Sequence, residues 1–156
     1  KFRKFGGYTA YVEGWGLYTE MLPKEIGMYQ DPYSDFGRLA MELWRACRLV
    51  VDTGIHAKKW SREQAVQYMA QTTGTASSDV ISEIERYMAW PGQALGYKLG
   101  MLKIVELRQQ AKTALGDHFD IKAFHDVVLL TGAVPMAVLE QKVQLWIQAE
   151  QQKNSQ

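Results

Sequence analysis

The sequence predicts an all-α protein, a single orthogonal bundle of about seven helices. Apolar residues recur with helical spacing, and no alternating strand pattern persists. Capping residues, glycines and prolines divide the chain into lengths that are typical of helices. The connections are short and there is no internal repeat or linker, so we expect one domain over residues 1–156. With 47% apolar residues, this domain has enough material for a hydrophobic core.

The first three predicted helices lie in the amino-terminal half. The first covers about Tyr8–Ile26 and is apolar nearly all round, which is typical of a central, buried helix. The second starts near Ser34, a good N-cap residue, and runs to Thr53, because Gly54 is expected to stop it. The capping box Ser61-Arg62-Glu63-Gln64 predicts a third, shorter helix that ends at about Thr72.

Four further helices are predicted in the carboxyl-terminal half. Their bounds are Ser77 or Ser78 to Trp90, about Gln93 to Leu115, Asp120 to Gly132, and Pro135 to a polar tail, Glu150 to Gln156. Pro91-Gly92 is expected to break the chain between the fourth and fifth helices, since Pro lacks a backbone donor. We expect the tail to fray. The last helix carries its apolar residues on one face: Leu139, Val143, Trp146 and Ile147.

Charge and composition exclude several classes of protein. The formal net charge is only +1, which argues against a nucleic-acid-binding protein, because that would need a basic stripe. No segment is long and apolar enough to span a bilayer. Cys47 is the only cysteine, so no internal disulfide is possible, and its apolar neighbours favour a small core residue. The chain begins with Lys1 rather than Met, so we expect a longer parent protein whose targeting signal would lie upstream.

Glu13 lies within the most apolar predicted helix, in the sequence Glu13-Gly14-Trp15-Gly16. Burying a carboxylate is costly unless it is paired, protonated or bound to a metal. Gly14 and Gly16 each cost up to about 1 kcal/mol inside a helix, which favours the close approach of another backbone or of a substrate. Two interpretations of Glu13 are open: a buried ion pair with an Arg, or a metal ligand.

A second cluster of polar residues lies on the second predicted helix. Arg45, Arg48 and Asp52 are three and four residues apart and therefore share one helix face. His56 follows Gly54, near the expected end of the helix, where a protonated imidazole is favoured. The cluster is either a local ion-pair network with a capping histidine, or it places Arg48 or His56 at a substrate.

A third cluster flanks the predicted break at Pro91-Gly92. Glu83-Ile84-Glu85-Arg86-Tyr87 stand just before the break, and Gln93 and Tyr97 follow it. A helix that restarts exposes backbone N–H groups, and such ends bind anions and carboxylates. The Arg-Tyr pair could supply a cation and a phenol to the same place. The alternative is a kink that is filled by the packing of a tyrosine.

The remaining histidines, His118 and His125, are predicted to be structural. No two histidines stand four residues apart, and the chain has no His-Glu-x-x-His sequence. A nucleophile-elbow sequence and a glycine-rich phosphate loop are also absent from the sequence. The familiar local motifs of hydrolases and nucleotide-binding proteins therefore give no function for this chain.

The three clusters resemble the carboxyl-terminal half of a widespread bacterial family, catalogued as domain of unknown function 885. The matching stretches are Glu13 to Glu20, Arg45 to His56, Glu85 to Tyr97, Phe119 to Asp126 and Gly132 to Pro135. The resemblance thus covers essentially the whole chain. The Glu-Gly-Trp and Pro-Gly-Gln-Ala blocks are its most distinctive parts.

Members of that family resemble zinc metallopeptidases of the Glu-zincin type, whose two His ligands and general base lie upstream. The resemblance implies that Glu13 is the third zinc ligand of the intact protein. The upstream His-Glu motif is not in this chain, and one carboxylate does not hold zinc. The resemblance further implies a peptide-like substrate, contact with the missing amino-terminal part of the same polypeptide, and an extracytoplasmic location, periplasmic or lipid-anchored.

A second similarity, to angiotensin-converting-enzyme-like peptidases, rests on the Arg86-Tyr87 pair followed by Gln93. It implies that Tyr87 donates a hydrogen bond to the tetrahedral oxyanion. We expect Arg86 and His56 to complete the catalytic set. The expected substrate-binding residues are Arg48, Tyr97 and Gln93. The alternative function is a non-catalytic helical domain that binds a partner or braces another domain.

Overall fold

The structure is a computed structural model that describes residues 6–154. Within this range it contains seven α-helices and no β-strand, which confirms the predicted all-α helical bundle. The helices are α1 Thr9–Glu25, α2 Pro32–Lys58, α3 Arg62–Thr73, α4 Ser77–Ala89, α5 Gly96–Leu115, α6 Ile121–Thr131 and α7 Met136–Asn154. Short 3-10 turns, Gln93–Leu95 and Gly116–His118, precede and follow α5. None of the helices in residues 6–154 combines the length and apolarity needed to cross a membrane.

Both predicted ends of α2 are wrong. Its N-cap is Asp31, whose carboxylate accepts hydrogen bonds from the N–H groups of Tyr33 and Ser34. The helix also continues through Gly54 to Lys58. Gly54 does not end the helix; its missing side chain leaves room for the ring of Trp60. A Cβ at Gly54 would lie 2.5 Å from the Trp60 ring. The packing of Trp60 offsets a glycine cost of about 1 kcal/mol.

Three other helix ends test the predicted boundaries. The predicted capping box is present, since Ser61 and Gln64 exchange both of its hydrogen bonds. The break at Pro91-Gly92 is also present, with Gly92 at a φ of 80°. The tail prediction is wrong over Glu150–Asn154, which continue α7; Ser155 and Gln156 lie outside the described residues.

Two hydrophobic clusters hold the helices together. The larger joins α1, α5, α6 and α7, and the smaller, which includes Cys47, joins α2, α3, α4 and the turn before α5. Helices α1 and α5 run in the same direction and approach closely, because Gly14 and Gly100 bring their backbones into contact. Gly14 therefore accommodates the backbone of α5 at Gly100. A Cβ at Gly16, in contrast, would meet nothing within 4 Å.

Candidate functional site

A hydrogen-bonded cluster, which we call the Glu83 cluster, lies where α2, α4 and the turn after α4 meet. Its members are Arg48, Glu83, Arg86, Tyr87, Gln93 and Tyr97. Three of them stand on α4 at positions i, i+3 and i+4, so one helix face carries a carboxylate, a guanidinium and a phenol together. The other members reach this face from α2 and from beyond the break at Pro91-Gly92.

The Glu83 carboxylate is the centre of the cluster. It accepts hydrogen bonds from Arg48 Nη2 at 3.0 Å, from the Tyr87 hydroxyl at 2.6 Å, and from Arg86 Nε and Nη2 at 3.1 and 2.9 Å. Burial opposes ionisation of this carboxyl group. The hydrogen bonds from Arg86 and Tyr87 and the charges of Arg48 and Arg86 outweigh burial and lower the pKa of Glu83 to about 2. Glu83 is therefore a fixed negative charge at neutral pH.

Tyr87 is 1% exposed, and its hydroxyl has a partner on each side. It accepts from Arg48 Nε at 2.8 Å and donates to Glu83. Burial, together with the hydrogen bond to Glu83, raises the pKa of Tyr87, so the phenol keeps its proton. In this geometry Tyr87 positions two charged side chains. The oxyanion-donor role that the resemblance implies stays a prediction. It requires the hydrogen bond from the Tyr87 hydroxyl to Glu83 to break, so that the hydroxyl can donate to substrate.

Arg48 is buried by its contacts with two tyrosines. Besides its hydrogen bonds to Glu83 and Tyr87, its guanidinium lies 4.7 Å from the centre of the Tyr97 ring. This distance is within the range of a cation–π interaction, which fixes Tyr97 against α2. The Tyr97 hydroxyl itself has no hydrogen-bond partner among residues 6–154, and its side chain is half-buried. Tyr97 therefore has a free donor beside the cluster.

Arg86 has donors to spare. Its Nε and Nη2 bond to Glu83, and its Nη1 donates to the Gln93 side-chain oxygen at 2.9 Å. A guanidinium has five N–H groups, so two remain without a partner in the described part of the chain. The side chain is 35% exposed. Arg86 is therefore rigidly held and can still donate to an incoming oxygen.

His56 lies in the last turn of α2, not beyond a helix break as predicted, because α2 continues through Gly54. Its Nε2 is 3.0 Å from the Tyr87 carbonyl oxygen, in the last turn of α4. A carbonyl only accepts, so Nε2 donates, and the same carbonyl also accepts from the Trp90 N–H at 3.2 Å. The structure thus brings His56 next to the Glu83 cluster through the backbone of Tyr87.

One backbone N–H group at the break, that of Gly92, meets a carboxylate of this same chain. The Gly92 N–H donates to Asp52, at 3.1 Å from one carboxylate oxygen and 3.3 Å from the other, and Asp52 is 2% exposed. The sequence predicted that a restarted helix would bind an anion there. In the structure the Asp52 carboxylate accepts the Gly92 N–H and ties α2 to the break, and binding of a ligand there stays a prediction.

Glu13 is not part of the Glu83 cluster. It is half-buried on α1 and makes no hydrogen bond or ion pair with any residue in 6–154, so the predicted ion pair with an Arg is not formed there. Glu20, two turns further along α1, instead pairs with Arg45 at 3.5 Å. The Arg45 guanidinium lies 5.9 Å from the centre of the Tyr97 ring, so α1 approaches the cluster at Glu20.

The residues of this chain do not by themselves fit a zinc site. Among residues 6–154 there is no group of three His, Cys, Asp or Glu side chains that could hold a metal ion. Catalytic zinc takes three protein ligands. The carboxylate of Glu13, which has no partner among residues 6–154, suits one ligand position, and the others would have to come from a different part of a longer polypeptide.

The sequence placed Glu83 in the third cluster, but Glu83 was not predicted to be a site residue or the centre of the site. The signal was present, because Glu83, Arg86 and Tyr87 have the spacing of side chains that interact along a helix. The contacts of His125 agree with the structural role that was predicted for it. His125 bonds to the Tyr18 hydroxyl at 2.9 Å and packs edge-on against Trp15.

The fold and the site define this chain as an all-α helical bundle with a partly buried Arg–Tyr–Glu cluster. Residues 1–143 match the family described as "Bacterial protein of unknown function (DUF885)", and the chain belongs to that family. It is also similar to the crystal structure of "the putative lipoprotein from Colwellia psychrerythraea", with 64% identity and a TM-score of 0.92. The match covers 95% of this chain and 26% of that one, so the chain spans about a quarter of its relative. No curated protein matches the chain.

Proposed function

We propose that this chain is the substrate-binding helical part of a larger zinc-dependent hydrolase of peptides or related amides. One observation carries the proposal. The side chains that were predicted to act in catalysis or substrate binding lie together in or beside the Glu83 cluster. They are Arg48, His56, Arg86, Tyr87, Gln93 and Tyr97. Ordinary surface residues from separate elements would each satisfy a local partner instead.

The free donors of the cluster define its role. Among residues 6–154, two N–H groups of Arg86 and the hydroxyl of Tyr97 have no partner, so both side chains suit a substrate carbonyl or carboxylate. Glu83 and Gln93 hold the Arg86 guanidinium in one orientation, so little side-chain entropy is lost when substrate binds. Arg48 and Tyr87 in turn hold Glu83.

The resemblance implies zinc, and Glu13 is the residue of this chain that would ligate it. When bound, such a zinc ion polarises a substrate carbonyl and activates water. The solved relative is described as a putative lipoprotein, which supports an extracytoplasmic location for this chain as well.

The proposal is tested on the polypeptide that the gene encodes, purified with zinc and assayed on a mixed peptide library. We expect peptide cleavage, and we expect Arg86→Gln and Tyr97→Phe each to raise KM about tenfold through the loss of a substrate hydrogen bond. Arg62→Gln is the matched control for Arg86, because Arg62 pairs with Glu85 at the surface. Absence of cleavage, or equal effects of the Arg86 and Arg62 variants, would refute the proposal.

The alternative is a non-catalytic domain that binds a partner or braces another domain. Two observations favour it: Glu83, Tyr87 and Arg48 satisfy one another within the chain, and α2 presents an uncovered apolar face. A folded, zinc-loaded polypeptide that cleaves no peptide or amide would support this alternative.

A further inference from the structure

The amino-terminal half of α2 has its charged side turned towards the rest of the domain. Arg38 bonds to Asp35 and Glu42 on the same helix. These carboxylates also pair with Lys24, next to the end of α1, and with Lys98 of α5. Arg38 and Lys98 are only 11% and 13% exposed. The ion pairs therefore lie between α2 and its neighbours.

The opposite side of this half of α2 is apolar and faces solvent. Phe36, Leu39 and Leu43 are 71%, 50% and 44% exposed. Their spacing of three and four residues puts them on one helix face, with Tyr33 at its amino-terminal edge. We call these four side chains the α2 apolar face.

This arrangement is the reverse of an ordinary surface helix, which buries its apolar side and exposes its charges. Scattered exposed apolar residues are normal, but a contiguous apolar face usually marks a contact with another protein surface. Charged residues border the α2 apolar face. The carboxylates of two of them, Asp35 and Glu42, are already paired with Lys24 and Lys98 of this chain. The occupant must therefore match it by apolar packing.

We propose that the α2 apolar face is covered by the rest of the same polypeptide, the part that corresponds to the remainder of the solved relative. That relative is 64% identical over a match that spans only 26% of its own length. A covalently attached segment has a high effective concentration, so it covers such a face ahead of free partners. This inference rests on family membership and exposure, and it is independent of any peptidase activity.

Cysteine labelling tests the proposal in the polypeptide that the gene encodes and in the 156-residue chain. Burial raises the pKa of Cys47 to about 11, so this thiol reacts slowly, and Cys47→Ala removes the background. The probes are Phe36→Cys and Leu43→Cys. Glu63→Cys is the control, because its side chain is 76% exposed on α3.

We expect a maleimide to label Phe36→Cys and Leu43→Cys at least about tenfold more slowly in the encoded polypeptide than in the 156-residue chain. Glu63→Cys should label equally in both. Equal rates at Phe36, or an encoded polypeptide no longer than this chain, would overturn the proposal. Protection that appears in the 156-residue chain and grows with its concentration would identify a second copy as the occupant and would also overturn it.

Discussion

Arg48 on α2 donates from Nε to the hydroxyl of Tyr87 on α4, at 2.8 Å and across 39 residues of sequence. The Tyr87 hydroxyl donates a hydrogen bond to Glu83, and Glu83 also accepts a hydrogen bond from Arg48 Nη2. The phenol thus completes a closed triangle of one cation, one anion and one neutral group. This triangle joins α2 and α4, two of the helices that form the smaller hydrophobic cluster.

Removing the Tyr87 hydroxyl should destabilise the chain. Tyr87→Phe leaves the buried Nε of Arg48 without an acceptor, so we expect a loss of about 1–3 kcal/mol in the free energy of unfolding. Urea unfolding of the 156-residue chain measures this loss. Tyr68→Phe is the control, because Tyr68 is exposed and its hydroxyl has no partner among the described residues. Unchanged stability with a tenfold or larger fall in kcat would instead identify Tyr87 as an oxyanion donor.

Glu83 should make stability depend on pH in acid. Its pKa is lowered to about 2 in the folded chain, against an ordinary value of 4.5. Its contribution is therefore present above about pH 4.5 and is lost as the pH falls towards 2. We expect the stability gap between wild type and Glu83→Gln to narrow across this window.

Unfolding in urea at pH 7, 4 and 2.5 would follow that gap. Glu85→Gln is the matched control, since Glu85 lies on the same helix and is 55% exposed in its pair with Arg62. A gap between wild type and Glu83→Gln that stays constant over the whole pH range would contradict the lowered pKa of Glu83.

The contact between α1 and α5 should tolerate no side chain at Gly100. A Cβ there would overlap the carbonyl oxygen of Ala10, so we expect Gly100→Ala to cost about 1–3 kcal/mol of stability. Gly37→Ala is the control on α2, where a Cβ meets nothing within 4 Å. That substitution should stabilise by about 0.5–1 kcal/mol, because Gly is the poorer helix former. Equal melting temperatures for the two variants would contradict the close approach.

The 156-residue chain should not bind zinc tightly. It offers Glu13 as a single ligand from the implied site, whereas catalytic zinc needs three protein ligands. Calorimetric titration with zinc checks this, with Glu13→Gln as the comparison. Submicromolar binding that is lost in Glu13→Gln would show that the chain carries further ligands of its own.

The sequence determined the helices and their local contacts. Helical periodicity gave the fold class, and short-range signals such as the Ser61 capping box and the Asp120 N-cap are realised as hydrogen bonds a few residues apart. The same local rule put Glu83, Arg86 and Tyr87 on one face of α4. These features depend only on spacing along one helix, so the sequence is sufficient to predict them.

Only the tertiary structure decided what meets these faces. It brought Arg48 to Tyr87 and Asp52 to Gly92, across 39 and 40 residues, because the packing of α2 against α4 fixes which side chains meet. It also carried α2 past Gly54, since the value of that glycine lies in its contact with Trp60. Which side chains Glu13 meets is decided in the same way, since helix packing sets the contacts between elements and local spacing does not.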